Sequence, residues 1–288
     1  MIASIIAVFI NLIGNYILIY GHLGLPAMGA IGAAIATVIS RFVEVFVLII
    51  YVKMHADAHP FIKGAFSSFY VPLYLVSKFT LKSLPLMANE TLWSVGTTFL
   101  NQCYSYKSLN AVAALNIEST IWNLLGVAFL AMGDAVGIIV GQILGSGDID
   151  KAKDYAYKLI AFTAFCGTIF AGIMLIVSPF FPLLYNTTHE VQALATKFII
   201  IYALLMPIYS TTHGSYFTIR SGGQTGITFI FDSCFVWVIT VPCAFILSRY
   251  TNVNVVYTVA IVQSLEIIKG IVGIFMVRSG IWAKNIVK

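Results

Sequence analysis

Residues 225–248 read TGITFIFDSCFVWVITVPCAFILS, an apolar segment of 24 residues in which Asp232 is the single charged side chain. A helix needs about 20 mostly apolar residues to cross the hydrocarbon core of a bilayer, so this segment is long enough to span a membrane. Seven more segments have the same character. Together they predict an all-α integral membrane protein with about eight transmembrane helices, at residues 2–20, 29–52, 79–104, 109–134, 155–178, 194–219, 225–248 and 254–277.

The composition excludes an ordinary soluble enzyme. Hydrophobic residues make up 60% of the chain and charged residues 9%, whereas a soluble domain carries about 25% charged residues. No nucleotide-binding loop, nucleophile triad or metal-ligand spacing is present, and the four cysteines form no C-x-x-C pair. We therefore expect neither an enzyme nor a nucleic-acid-binding protein, and no cofactor apart from a coupling ion.

Basic residues predict the orientation in the membrane, because cytoplasmic loops carry an excess of Lys and Arg. If both termini lie on the same side of the membrane, the loops on the opposite side hold Lys107 and Arg249, and Lys197 lies near the start of a helix on that side. The loops on the first side hold many more: Lys53, Lys63, Lys78, Lys82, Lys151, Lys153, Lys158, Arg220, Arg278, Lys284 and Lys288. This asymmetry predicts a multi-pass protein of the cell membrane with both termini in the cytoplasm. Asp148 or Asp150 is expected to cap the helix that follows.

A weak internal repeat relates residues 11–53 to residues 232–278. Each copy has a polar residue in an apolar helix, then a turn, then a helix with a charge pair three residues apart: Arg41 and Glu44, or Glu266 and Lys269. Repeats are common in transporters. If the repeat is real, the start of the first copy is missing, and about 150 further residues should precede it by the repeat logic.

Six acidic residues fall in or near the predicted spans, where ionisable groups are costly and suggest function. Glu44 and Glu266 each have a basic residue one turn away, so a structural pair is expected for both. Asp134, between Gly133 and Gly137, is expected near a helix end or kink in contact with water. Glu118 remains ambiguous.

Glu90 and Asp232 differ from these acids because neither has a basic residue within four positions. Such a carboxyl group can bind and release a proton, or hold sodium with oxygen neighbours. Polar contact between helices is the alternative. Glu90 begins a stripe of polar residues at helical spacing. The sixth predicted helix carries an aromatic stripe, and such a stripe more often packs against other helices than lines a drug-binding cavity. The two stripes comprise Glu90, Trp93, Ser94, Thr97 and Asn101, and Tyr202, Tyr209, Thr212 and Tyr216.

Four segments, in order, resemble the multidrug and toxic compound extrusion (MATE) family of antiporters. They are NLIGNYILIYGHLGLPAMGAIGAAIATVISR at 11–41, LPLMANETLWSVG at 84–96, VGQILGSGDIDKAK at 140–153 and RSGGQTGITFIFDSCFVW at 220–237. The family has twelve helices in two pseudo-symmetric six-helix lobes. The resemblance implies that residues 1–53 are the last two helices of the N-terminal lobe, 54–78 a cytoplasmic linker, and 79–288 a complete C-terminal lobe.

The resemblance also implies a function: export of cationic, amphipathic drugs or toxic compounds in exchange for sodium or protons. Glu90 and Asp232 match acidic positions of the family, so they are the expected cation-coupling residues and the expected site of any sodium ion. Expected partners are cationic small molecules, the lipid bilayer and the missing N-terminal helices. The residues expected to line the cavity are Asn11, Asn15, Trp93, Thr97, Asn101, Tyr209 and Tyr216.

The sequence departs from the family pattern at two places. Residues 206–217, MPIYSTTHGSYF, contain no acid where some members carry one, and Asn15 stands where some members have a titrating Asp. Two alternatives stay open. A lipid-linked oligosaccharide flippase of related architecture would need several cavity-facing Arg or Lys residues for a pyrophosphate. An inactive remnant would need a partner chain to enclose a cavity.

Overall fold

A computed structural model describes residues 2–55 and 70–283, and it confirms the all-helical fold. The long helices of these residues are labelled α1 to α8 in chain order. A short 3-10 helix, Phe181–Leu184, precedes α6. The bounds are α1 Ile2–Tyr20, α2 Ala30–Met54, α3 Leu73–Ser105, α4 Leu109–Gly145, α5 Ile149–Val177, α6 His189–Ser221, α7 Thr225–Tyr250 and α8 Val255–Ser279.

Seven of these helices are long and apolar enough to cross a membrane. The eighth predicted span falls on α3, which has 33 residues but is more polar. It begins at Leu73, six residues before the predicted boundary at 79, where the amide of Leu75 donates to the carbonyl of Pro72 (2.9 Å). The rest of the expected linker, 56–69, lies outside the described residues. The division into lobes stays a prediction.

The chain divides into two compact units, Met1–Leu75 and Val76–Lys288. In the first, α1 and α2 form an antiparallel hairpin with small residues at the contact. A Cβ atom on Gly32 would lie 2.5 Å from the carbonyl oxygen of Leu18. Such close approach of backbones is typical of helices packed in membranes. The predicted pair of Arg41 with Glu44 is confirmed at 2.8 Å.

In the second unit, α6 is the central helix and packs along α4, α5 and α8. The helix α4 extends to Gly145, so the expectation that Asp134 lies near a helix end is wrong. Gly133 is instead a packing notch, because a Cβ there would lie 2.6 Å from the ring of Phe217. Asp134 is exposed on the surface of this unit, and its contact with water stays a prediction. Asp148 caps α5 by accepting from the amide of Lys151 (3.1 Å), as predicted.

The helix α7 has an irregular backbone around its acidic residue. It runs as π-helix over Ile230–Cys234 and Val236–Thr240 and then returns to α-helix at Val241, followed by Pro242. Such π-helical stretches occur frequently at functional sites. Asp232 lies within the first of them.

Candidate cation-binding cluster

Asp232 forms a buried ion pair that the sequence did not reveal. Its Oδ1 lies 2.6 Å from the Nζ of Lys269 on α8, and the two side chains are 14% and 9% exposed. The expectation that Asp232 lacks a cationic partner is therefore wrong, because it rested on sequence neighbours within four residues while Lys269 is 37 residues away.

Glu266, one turn before Lys269 on α8, completes this group. Its Oε1 lies 3.9 Å from the Nζ of Lys269, and its side chain is 14% exposed. The expected local pair of Glu266 and Lys269 therefore exists, but the ammonium group lies closer to Asp232. The hydroxyl of Thr212 on α6 lies beside Glu266. When all three groups are ionised, the two acids and one lysine leave one negative charge unbalanced. We call Asp232, Glu266 and Lys269 the acid–lysine cluster.

Asn89 on α3 holds the other oxygen of Asp232. Its Nδ2 donates to Oδ2 of Asp232 (3.0 Å) and to the hydroxyl of Tyr216 (3.3 Å). Ser233 donates to Oδ1 of Asn89 (2.7 Å) and to its backbone carbonyl (3.1 Å). The indole of Trp237 donates to the carbonyl of Leu92 (3.0 Å). Asn89 is 1% exposed, so these bonds fix α3 against α7 at the cluster.

Glu90, the other predicted coupling residue, points elsewhere. Its side chain is 63% exposed and its Oε1 lies 4.0 Å from the guanidinium of Arg220. The buried face of α3 carries Asn89 and Gly96, one residue away from the predicted stripe, and Gly96 lies against Val236. The structure therefore brings Asn89, rather than Glu90, to Asp232.

Other predicted cavity residues occupy varied surroundings. Trp93 and Asn101 are exposed on α3. Thr97 is partly buried and bonds to the carbonyl of Ser94 in its own helix (2.9 Å). In the first unit, Asn15 donates to Oδ1 of Asn11 (3.0 Å), and Asn11 donates to Thr37 (3.2 Å).

The aromatic stripe of α6 divides between two environments. Tyr216 joins the acid–lysine cluster through Asn89. Tyr209 donates to Oε1 of Gln263 (2.6 Å), and Nε2 of Gln263 donates to the hydroxyl of Tyr202 (2.5 Å). The ring of Trp122 packs edge-on against both tyrosines, with centroids 4.9 and 5.4 Å away. These contacts pack Tyr202 and Tyr209 against Trp122, and the cavity-lining role of Tyr209 stays a prediction.

The cluster suits a singly charged ligand. Within residues 2–55 and 70–283, no group of three or more His, Cys, Asp or Glu gathers as a metal site. A proton or a monovalent cation would balance the single excess charge. Long apolar helices that surround buried, charge-unbalanced acids are typical of secondary membrane transporters.

Solved MATE transporters share this fold. One in complex with MaL6 superposes with a TM-score of 0.82 at 18% identity, over 96% of this chain and 61% of its own. An outward-facing multidrug resistance MATE family transporter of the MOP superfamily gives a TM-score of 0.81 at 18% identity, over 97% of this chain and 62% of its own.

Sequence comparison defines the family. Residues 85–276 match the MatE family. The probable multidrug resistance protein NorM of Oceanobacillus iheyensis is 29% identical over 260 residues, which is 87% of this chain and 56% of that protein. The probable multidrug resistance protein YoeA of Bacillus subtilis is 24% identical over 275 residues, 92% and 58% of the two chains. The chain belongs to the MatE family of membrane transporters, and it is not an enzyme. It spans a little over half the length of these relatives.

Proposed function

We propose that this chain forms the larger part of a cation-coupled antiporter that exports cationic, amphipathic compounds from the cell. The acid–lysine cluster carries the proposal, because it places two acids and one lysine in a buried position between membrane helices and has one excess negative charge when all three are ionised. An unbalanced charge there is costly, so the cluster should bind a cation whenever one can reach it. We assign cation coupling to Asp232 and Glu266, with Lys269 as the internal counterion.

Exchange follows from competition for this negative charge. A proton or sodium ion bound at Glu266 or Asp232 makes the cluster neutral and favours one facing of the transporter. A cationic substrate that approaches the cluster favours the other facing and displaces the coupling ion. Because each ligand prefers a different state, the two move in opposite directions by alternating access.

Glu90 has a different proposed part. It is exposed and lies near Arg220, so it does not share the closed environment of Asp232. As the second predicted cation-coupling residue, it stays a candidate for contact with the coupling ion outside the acid–lysine cluster. The predicted lining residues Asn11, Asn15, Trp93, Thr97 and Asn101 stay candidates for contact with substrate.

The location and the orientation in the membrane are proposed from the distribution of basic residues. We propose the cell membrane as the location, with both termini cytoplasmic. Arg220 and Arg278 occupy the last turns of α6 and α8, which supports a basic side of the Val76–Lys288 unit at these two helix ends. Further N-terminal helices are the proposed partner of the hairpin.

The flippase alternative has less support. A pyrophosphate group requires cationic side chains free to bind it. Lys269 is held by Asp232 at 2.6 Å, and Arg41 is held by Glu44 at 2.8 Å. Both basic residues lie inside helices and are paired with acids, so neither is free to bind a pyrophosphate.

Ethidium efflux tests the proposal. The chain, and in parallel the longest open reading frame that contains it, is expressed in cells without their own efflux pumps. We expect Asp232→Asn and Glu266→Gln to abolish efflux, because each removes a charge that the coupling cation needs. Asp134→Asn is the control, since Asp134 is an exposed acid on a neighbouring helix. Collapsing the sodium and proton gradients in turn identifies the coupling ion.

Two results would contradict the proposal. Efflux that survives both cluster substitutions would remove the cluster from the coupling mechanism. A correctly inserted protein that exports no ethidium or related cation in either form would contradict drug export and favour the inactive remnant.

A further inference from the structure

Glu118 is a buried acid that the coupling cluster does not use. It lies in α4 with 3% of its surface exposed. Leu115 and Ile121, three residues to either side, are buried and belong to two separate apolar clusters of the core. Glu118 therefore lies between two dry regions of the same helix bundle.

This carboxyl group lacks the partners that a charged form would need. Its Oε1 is buried and has no hydrogen-bond partner. None of the ion pairs between described residues includes Glu118. An isolated carboxylate in an apolar interior is far more costly than the neutral acid, which adds one donor to the group. The surroundings therefore favour a carboxyl group that holds a proton.

The neighbours of Glu118 form a closed polar layer rather than an open site. Trp122 lies one turn further along the same face of α4 and packs against Tyr202 and Tyr209, whose hydroxyl groups bond to Gln263. The hydroxyl of Tyr104 is also buried and lacks a hydrogen-bond partner. The ring of Trp122 is in edge contact with Tyr202 and Tyr209, with centroids 5.4 and 4.9 Å away, and a proton, unlike an organic cation, needs no cavity among these rings.

The layer separates Glu118 from the acid–lysine cluster but also links the two. Tyr209 on α6 donates to Oε1 of Gln263 on α8 (2.6 Å). Gln263 is three residues before Glu266 on α8. Ionisable groups of α3, α6 and α8 face this region: Tyr104, Tyr202, Tyr209, His213, Glu266 and Lys269. The cation in this set, Lys269, is bound to Asp232. The residues of α5 that join this core are apolar.

We propose that Glu118 is a second proton-binding site of the Val76–Lys288 unit, distinct from the acid–lysine cluster and occupied in the conformation described here. One proton from water adds to the carboxylate when the bundle closes around it. The same proton returns to water when a rearrangement of α4 against α6 wets the site. That the cycle contributes to transport rests on the proposed function; the occupied site itself does not.

Infrared spectroscopy of the purified chain in dodecyl maltoside micelles, which contain no ester or carboxyl groups, tests the site without any transport. The C=O stretching band of a protonated carboxyl group lies at a higher frequency than the bands of a carboxylate or an amide. At neutral pH we expect such a band, and we expect Glu118→Gln to lower its intensity by the contribution of one carboxyl group. Gln keeps the size of the neutral acid, so the fold should be retained. Asp134→Asn, an exposed acid of the same helix, should leave the band in place.

A wild-type spectrum without the band, or a band that Glu118→Gln leaves unchanged, overturns the proposal. If Glu118→Gln does not fold, Glu118→Asp is measured: a shifted band supports the site, and an unmoved band overturns it. The proposed function can fail in the efflux assay while this band remains, so the two failures are distinguishable.

Discussion

Replacing Lys269 with methionine removes the ammonium group that balances the cluster and leaves its shape nearly unchanged. The side chains of Lys269 and Asp232 are 9% and 14% exposed, so water offers Asp232 little compensation. Removing one partner of a buried ion pair costs about 3–5 kcal/mol, because the remaining charge stays buried. We expect the lower end, about 3 kcal/mol, since Asn89 still donates to Asp232 at 3.0 Å.

Unfolding of the purified chain in mixed micelles, titrated with denaturing detergent, measures this loss. Lys158→Met is the control, because Lys158 and Asp154 are also 2.6 Å apart but are 70% and 54% exposed, and we expect little change there. The double variant Asp232→Asn/Lys269→Met should recover most of the loss, since the cluster again carries one excess negative charge.

The pH dependence gives the sign of the effect. Without the ammonium group, two carboxylates share one buried region, so the folded state binds protons more readily than the unfolded state. Stability of Lys269→Met should therefore rise as the pH falls, relative to the wild type. The expected loss for a buried ion pair is larger than about 1 kcal/mol. If the free energy of unfolding of Lys269→Met is within about 1 kcal/mol of the wild type, with the same pH profile, the buried pair of Lys269 and Asp232 is refuted.

Two substitutions test the packing around the cluster and at the end of α8. Gly222→Ala places a Cβ atom 1.8 Å from the carbonyl oxygen of Trp282, so we expect a loss of about 1–3 kcal/mol and a red shift of tryptophan fluorescence as that buried ring is displaced. Gly226→Ala, where a Cβ meets nothing within 4 Å, should change neither. Asn89→Leu removes the amide that donates to Oδ2 of Asp232, while Ser233 can still donate to the backbone carbonyl at 89, and it should cost about 1–3 kcal/mol on detergent unfolding. Asn101→Leu, an exposed position of the same helix, is its control, and equal losses at both positions would contradict the assigned role of Asn89.

The membrane helices were predictable because length and hydropathy decide them. The predicted span 225–248 corresponds to a helix from Thr225 to Tyr250. Helix ends were less predictable where a helix leaves the apolar core: α4 runs on to Gly145 because its last turns pack on α6 rather than end at the membrane boundary. Gly133 suggested a kink in the sequence, and its role as a notch for Phe217 depends on a distant helix.

The site was predictable in part. Asp232 was singled out correctly as an acid inside a membrane helix, but its partner Lys269 lies on another helix, beyond the reach of any local pattern. Asn89 was missed because an amide beside the more conspicuous Glu90 carries no charge signal. A helical wheel of α3 anchored on Gly96, a small residue suited to close packing, would have placed Asn89 on the buried face.

The internal lysine also bears on how the proposed exchange works. An acid pair without a counterion would be doubly charged when empty, and a single proton or sodium ion would leave it charged. With Lys269 held at 2.6 Å from Asp232, the empty cluster has one excess charge and one bound cation neutralises it. The cost of leaving the cluster empty is thereby reduced, which permits release of the ion as well as its capture. In the proposed antiporter, Lys269 therefore sets the coupling at one monovalent charge for this cluster.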